Sequence, residues 1–220
     1  MTKIVLINGK QVETEDAKIS IFDRGFLYGD SVFETLRTYG GVPFALEEHL
    51  RRLERSAQRV LIRLPEDLSV IDNEIRVAAS LVHSAAGAGE GDAFIRVMVT
   101  RGIGDDLGLD PNLASKASRV IIAGPLQKPS PEAYEKGAKV VTYRTQRFGD
   151  ATAAVGSKVG NYLVAVLAMR EASAAGAVEA LIVDGDDRVV EGTTSNVFAV
   201  VGGRLVTPPE QAGILEGITR

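Results

Sequence analysis

The chain contains no cysteine and only two histidines in 220 residues. Without cysteine there are no disulfides, no thiolate metal ligands and no cysteine nucleophile. Two histidines with no cysteine argue against a zinc centre, and no other metal site is expected. His49 and His83 fall on predicted helices among charged or small residues, which reads both as surface positions. No G-x-S-x-G elbow is present, which disfavours a hydrolase built on a serine nucleophile. A Walker A loop is also missing. The run Asp105-Asp106-Leu107-Gly108-Leu109-Asp110 has carboxylates without the alternating spacing of a calcium loop, and it reads as a solvated loop. Basic clusters are lacking too: the net charge is -4 and the pI is near 5.4, so no nucleic-acid partner is expected. No stretch approaches the roughly 20 apolar residues of a membrane helix. The apolar run at 4–7 stops at Asn8-Gly9, too short for a signal-peptide core. These absences lead to the expectation of a soluble, cytoplasmic chain with no membrane partner, in keeping with a reducing compartment.

What is present is a chain that is 45% hydrophobic, enough for one large core or two small ones. Residues 3–7 read as a strand with Asn8-Gly9 as a hairpin signal. A second strand covers 32–39 and turns at Gly40-Gly41. An amphipathic helix is predicted over about 46–62, with Leu46, Leu50, Leu53, Ala57 and Leu61 on one face. A second helix covers about 67–86. Strands follow at 94–100 and 120–123, separated by a polar loop at 101–117. Gly124 to Pro131, with three prolines, cannot continue a helix or a central strand and reads as a linker. Beyond it come a strand at 138–143, a helix at about 160–175, and strands at 179–184, 188–190 and 196–201. Strands and helices mix without strict alternation, which gives an α+β class. The expected division is an N-terminal domain at 1–123, a linker at 124–131 and a C-terminal domain at 132–220. Gly213 to Arg220 reads as a loop opening a helix, which suggests a further C-terminal segment.

Two residues attract chemical interest. Lys158 lies in Ala153-Ala154-Val155-Gly156-Ser157-Lys158-Val159-Gly160, a small and apolar run. A lysine that loses hydration there has a lowered pKa and an amine free to form imines. Composition alone favours a lysine snorkelling to solvent from a helix start. Glu191 is one carboxylate between two apolar strands, followed by Thr193-Thr194-Ser195. It could hold a positive ring nitrogen, or it could be an exposed strand end. Gly217-Ile218-Thr219 could present backbone N–H groups and a hydroxyl to a phosphate, with Arg52 reaching it from the rim of the first helix. A helix cap and a solvated arginine are the plainer alternatives.

Taken in order, five motifs resemble one family. They are Tyr28-Gly29-Asp30-Ser31-Val32-Phe33-Glu34-Thr35; His49-Leu50-Arg51-Arg52-Leu53; Lys158-x-x-Asn161-Tyr162-Leu163; Glu191-Gly192-Thr193-Thr194-Ser195-Asn196; and Gly213-Ile214-Leu215-Glu216-Gly217-Ile218-Thr219-Arg220. Together they resemble the fold-type IV pyridoxal-phosphate (PLP) enzymes, the class IV aminotransferases, over nearly the whole chain. The resemblance implies the two-domain α+β architecture of D-amino-acid aminotransferases, a PLP cofactor, amino acid and 2-oxo acid substrates, and a homodimer. Lys158 would carry the cofactor and shuttle the proton at substrate Cα. Glu191 would pair with the pyridine nitrogen. Arg52, Ile218 and Thr219 would bind the phosphate, and Tyr162 would sit near the phenolic oxygen. Tyr28, Phe33 and Arg96 would face substrate, with Arg96 or Arg101 meeting its carboxylate. Phe94-Ile95-Arg96 and the segment from Thr100 to Pro111 lean toward the branched-chain branch. The lysine-to-tyrosine spacing and Phe33-Glu34-Thr35 fit the D-amino-acid and aminodeoxychorismate lyase branches as well.

Overall fold

The computed structural model describes residues 3–85, 91–104, 106–114, 116–145 and 156–220. Three predicted features extend outside the described residues: the apolar approach to Lys158 at 153–155, the end of the second helix at 86, and Asp105. The chain divides into two compact units, one formed by 1–127 with 157–161 and the other by 128–156 with 162–220.

In the first unit, strands β1 (Ile4–Ile7), β2 (Lys10–Val12), β3 (Ser31–Tyr39), β4 (Val42–Pro43), β5 (Ala93–Thr100) and β6 (Ser118–Pro125) form one sheet. Its order is β2-β1-β6-β5-β3-β4, antiparallel throughout. Asn8 and Gly9 close the first hairpin with φ of 49° and 83°, as a tight hairpin turn requires. Alternation decides the faces: Val32 and Leu36 on β3, and Ile95, Val97 and Val99 on β5, are buried beneath two helices. The short helix α1 (Arg24–Tyr28) precedes β3. The two covering helices are α2 (Leu46–Arg59) and α3 (Leu68–Ala85).

Three local expectations are corrected. Helix α2 stops at Arg59, and Leu61 takes φ 58° and is 79% exposed, so it is not part of the buried face. Gly124 and Pro125 are not linker: they end β6, opposite Phe94 and Ala93. Proline is tolerated there because the β1–β6 ladder ends at Ala123, so no partner on that side needs the missing N–H. Pro131 does not end the linker either. It opens helix α4 (Pro131–Lys136), capped by Ser130, whose hydroxyl accepts from the Ala133 N–H. A proline at the first helical position gives up an N–H that has no partner in the helix anyway.

The second unit holds α4, β7 (Val140–Arg144), α5 (Leu163–Ala174), β8 (Glu179–Val183) and β9 (Val189–Gly192). β7 and β8 are parallel, β8 and β9 antiparallel. The core beneath α5 is small: Ala168, Ala172, Ala180 and Ile182. A hairpin of β10 (Ala199–Val201) and β11 (Arg204–Val206) is exposed along its length. No helix among the described residues is long and apolar enough to cross a membrane.

Candidate functional site

Lys158 belongs to the first unit, not to the stretch 132–220 in which sequence places it. The segment 157–161 adds to the free edge of β3: Val159 bridges Val32, the Phe33 N–H donates to the Lys158 carbonyl (3.0 Å), and the Gly160 N–H donates to the Ser31 carbonyl (2.8 Å). The Lys158 N–H in turn donates to Ser56 Oγ on α2 (3.2 Å). Strand alternation then orients the lysine. Val159 packs on the helix-covered core, so Lys158 faces the opposite side with Phe33. Its ammonium lies 4.6 Å from the Phe33 ring centroid, and the side chain is 9% exposed. The Arg96 guanidinium is 4.0 Å from the same ring. Arg96 sits opposite Thr35, diagonal to Phe33, within reach on one sheet face. Phe33, Arg96 and Lys158 are therefore brought together, the Arg96 guanidinium and the Lys158 Nζ over one aromatic ring.

On the helix-covered side, a second group assembles around Glu34. Arg52 donates through Nε to Oε1 (2.7 Å) and through Nη2 to Oε2 (2.6 Å), and His49 Nδ1 lies 2.7 Å from Oε2. A carboxylate only accepts, so the ring nitrogen donates. Burial pushes the Glu34 carboxyl up, but the hydrogen bonds and charges of Arg52 and His49 outweigh it and hold it below its ordinary value. Sequence reading expected His49 at the surface; it is 7% exposed. Arg52 is not a solvated arginine: from the edge of the apolar stripe it turns inward, is buried, and gives Nε and Nη2 to Glu34. The reason is geometric. His49, Arg52 and Ser56 follow helical spacing beside the apolar line of Leu46, Leu50, Leu53 and Ala57, which makes the buried face of α2 wider than its apolar stripe.

Glu34 is a buried carboxylate that sequence reading passed over. The signal was available: it alternates with Val32 and Leu36 on an otherwise apolar strand face. Arg101, by contrast, is not available for a substrate carboxylate. It spends Nε and Nη2 on Asp30 and donates to the Val60 and Leu61 carbonyls at the end of α2. Tyr28 ends α1, and its hydroxyl donates to the Leu107 carbonyl.

In the second unit, Glu191 sits on β9 opposite Ile182, half-buried. Its Oε2 accepts from the Leu215 N–H (3.0 Å), and the Leu215 carbonyl accepts from Asn196 Nδ2 (2.9 Å). Gly217-Ile218-Thr219 forms a turn closed by the Arg220 N–H on the Gly217 carbonyl (3.2 Å), not the start of a described helix. A side chain at Gly217 would run into Asn196 Oδ1. Ile218 is half-buried and Thr219 exposed, and Tyr162 caps α5.

The sequence profile described as amino-transferase class IV matches residues 31–220. A "Putative branched-chain-amino-acid aminotransferase" of Methanocaldococcus jannaschii is 42% identical over 220 residues, covering 98% of this chain and 72% of that protein. An aminodeoxychorismate lyase of Bacillus subtilis is 33% identical (99% of this chain, 71% of the relative), and a D-alanine aminotransferase of Bacillus licheniformis 32% identical (98% and 72%). Among solved structures, a branched-chain aminotransferase from the thermophilic archaeon Thermoproteus uzoniensis, with norvaline, superposes with a TM-score of 0.82. It is 31% identical, and the match covers 98% of this chain and 71% of that one. A further solved branched-chain amino acid aminotransferase, complexed with N-(5'-phosphopyridoxyl)-L-glutamate, superposes with a TM-score of 0.84 at 31% identity, over 100% of this chain and 70% of that one.

Proposed function

The chain belongs to the class IV aminotransferases, and from that premise we propose that it moves the amino group of a branched-chain L-amino acid to 2-oxoglutarate, with PLP held at Lys158. The observation that carries this reading is the lysine itself: a nearly buried amine on the sheet face beside Phe33 and Arg96. The groups present suit the cofactor. Lys158 offers an amine to its aldehyde, Glu191 a carboxylate to its ring nitrogen, and the turn at 217–219 offers backbone N–H groups and a hydroxyl to its phosphate.

When bound, PLP supplies a carbonyl that captures the substrate amine and a protonated ring that accepts the electron pair released at Cα. The chain supplies the rest. The Lys158 amine would take the proton from substrate Cα as a general base and hand it on to the cofactor's C4′ carbon as a general acid. Glu191 would pair with the ring nitrogen and keep a proton on it. Arg52, Ile218 and Thr219 bind the phosphate, and Tyr162 donates near the phenolic oxygen. Phe33 and Tyr28 offer apolar surface to the substrate side chain, and Arg96 offers a guanidinium to its carboxylate.

The branched-chain assignment rests on the higher identity to the Methanocaldococcus jannaschii relative than to the lyase and the D-alanine enzyme. A donor screen with L-leucine, L-valine, L-glutamate and D-alanine against 2-oxoglutarate tests it, with aminodeoxychorismate assayed separately. L-Leucine and L-valine are the expected donors. Turnover confined to D-alanine, or lyase activity alone, would replace the assignment.

A second copy of the chain is the partner this reading implies. In the first unit, Phe22, Phe26, Ile103, Leu107 and Leu109 are exposed, and their two segments are joined by the bridge of Asp23 to Ile103. Arg24 fixes that surface by donating to the Gly108 and Leu109 carbonyls. An exposed apolar patch held this rigidly suits an interface between copies. Sedimentation of the protein should give a dimer, and Phe26→Glu should shift it toward monomer.

A further inference from the structure

Glu191 and the turn at 217–219 are distant in sequence but meet at one peptide group. The Leu215 N–H goes to Glu191, and the Leu215 carbonyl goes to Asn196. The distance between Glu191 and Asn196 is set by the short turn between them, in which the Gly192 N–H donates to the Ser195 carbonyl (2.7 Å). Beneath this turn lies a carboxylate that the reaction does not use. Glu179, at the start of β8, accepts through Oε1 from the Thr193 N–H (3.2 Å) and the Thr193 hydroxyl (2.5 Å), and through Oε2 from the Ser195 hydroxyl (3.1 Å). The packing leaves no slack, since a side chain at Gly192 would meet Ser195 Oγ and the Glu179 carboxylate. Three donors of one turn thus converge on a single anchored acceptor.

We propose that Glu179 is a positioning residue: by holding the turn 192–195 it fixes Glu191 against Leu215, and with them the segment leading to Gly217-Ile218-Thr219. Its consequence for PLP rests on the reading of Glu191 and 217–219 as cofactor-binding groups. A carboxylate accepting several donors at once is a strong, directional anchor, and groups that orient a binding residue shape affinity without touching the ligand.

The test compares Glu179→Ala and Glu179→Gln with the parent by hydrogen exchange of the cofactor-free protein and by PLP titration. In the alanine variant the Leu215 amide should exchange roughly tenfold faster and the PLP Kd should rise roughly tenfold, the scale of one lost charge-assisted hydrogen bond. Exchange at Ile182, in the β8–β9 ladder, should stay near the parent's. Glutamine should restore both values, because its carbonyl still accepts from Thr193 and its amide can donate to the Ser195 hydroxyl. Thr193→Val, which removes one donor and keeps the branched shape, should move Leu215 in the same direction by less. That variant carries the test should the alanine protein fail to fold. Unchanged Leu215 exchange in the alanine and valine variants would overturn the proposal. Faster Leu215 exchange with unchanged PLP affinity would support the positioning role and overturn instead the assignment of these groups to the cofactor.

Discussion

In the first unit, two helices of 14 and 18 residues cover one face of a six-stranded sheet. In the second, a helix of 12 residues packs on three strands around three alanines and one isoleucine. The polar groups follow the same contrast. Glu34, His49, Arg52 and Ser56 lie inside the core layer of the first unit, and all are buried. Glu179, Glu191 and Asn196 of the second are half-buried and held by hydrogen bonds to loops. A group fixed inside a core cannot be removed without a cost to folding. One fixed by loop hydrogen bonds can be released while its unit remains folded. Substitutions in the first unit should therefore read out as stability, and those in the second as geometry at the site.

The largest expected effect breaks the buried pair. Glu34→Ala leaves Arg52 without its carboxylate, and losing one member of a buried pair costs about 3–5 kcal/mol. Urea unfolding should show this loss as a lower midpoint. Arg52→Ala should cost the same order, so its weakened PLP binding would mix folding with affinity. Arg52→Lys also fails to restore the pair, since an ammonium cannot match the two-point contact. A Glu34→Ala protein as stable as the parent would erase the contrast between the units.

Next in size is a matched pair of core truncations. Ile75→Ala, beneath the first sheet and 1% exposed, should cost about 4 kcal/mol, within the usual range for such a truncation. Ile182→Ala should cost about 2 kcal/mol, because a small alanine core has fewer contacts to lose and collapses more easily. Equal losses in calorimetry would show that the second core is better packed than its composition suggests.

The smallest effect is acid sensitivity. The pKa of Glu34 in the folded state lies below its ordinary value of 4.5. Its contribution is therefore fully present above 4.5 and is lost as pH falls through the depressed value. Stability of the parent should decline below pH 4.5 more steeply than that of Glu34→Gln, which is less stable at neutral pH and lacks this proton uptake. Parallel pH curves would remove Glu34 from the acid response.

The fold was legible wherever period and burial agree. The strand read over 32–39, the line Leu46-Leu50-Leu53-Ala57 and the Asn8-Gly9 turn each led to the observed element. Legibility ended where tertiary partners decide. His49 looks like a surface residue on a charged helix, and only Glu34, on the sheet face beneath α2, makes it and Arg52 core. Lys158 reads as part of the C-terminal half because nothing local to it encodes the edge of β3 on which it lies. Glu179 drew no attention because its partners, Thr193 and Ser195, lie on a turn that only the β8–β9 register brings beside it. Pro125 read as a linker residue because the strand-ending position that tolerates it depends on where β1 stops.

The most direct test of Lys158 as the cofactor's anchor is to load the protein with PLP, reduce it with borohydride and map the labelled peptide. A single phosphopyridoxyl label on Lys158, absent from Lys158→Ala, is the expected result. A label on another lysine, or equal labelling of the Lys158→Ala protein, would contradict it.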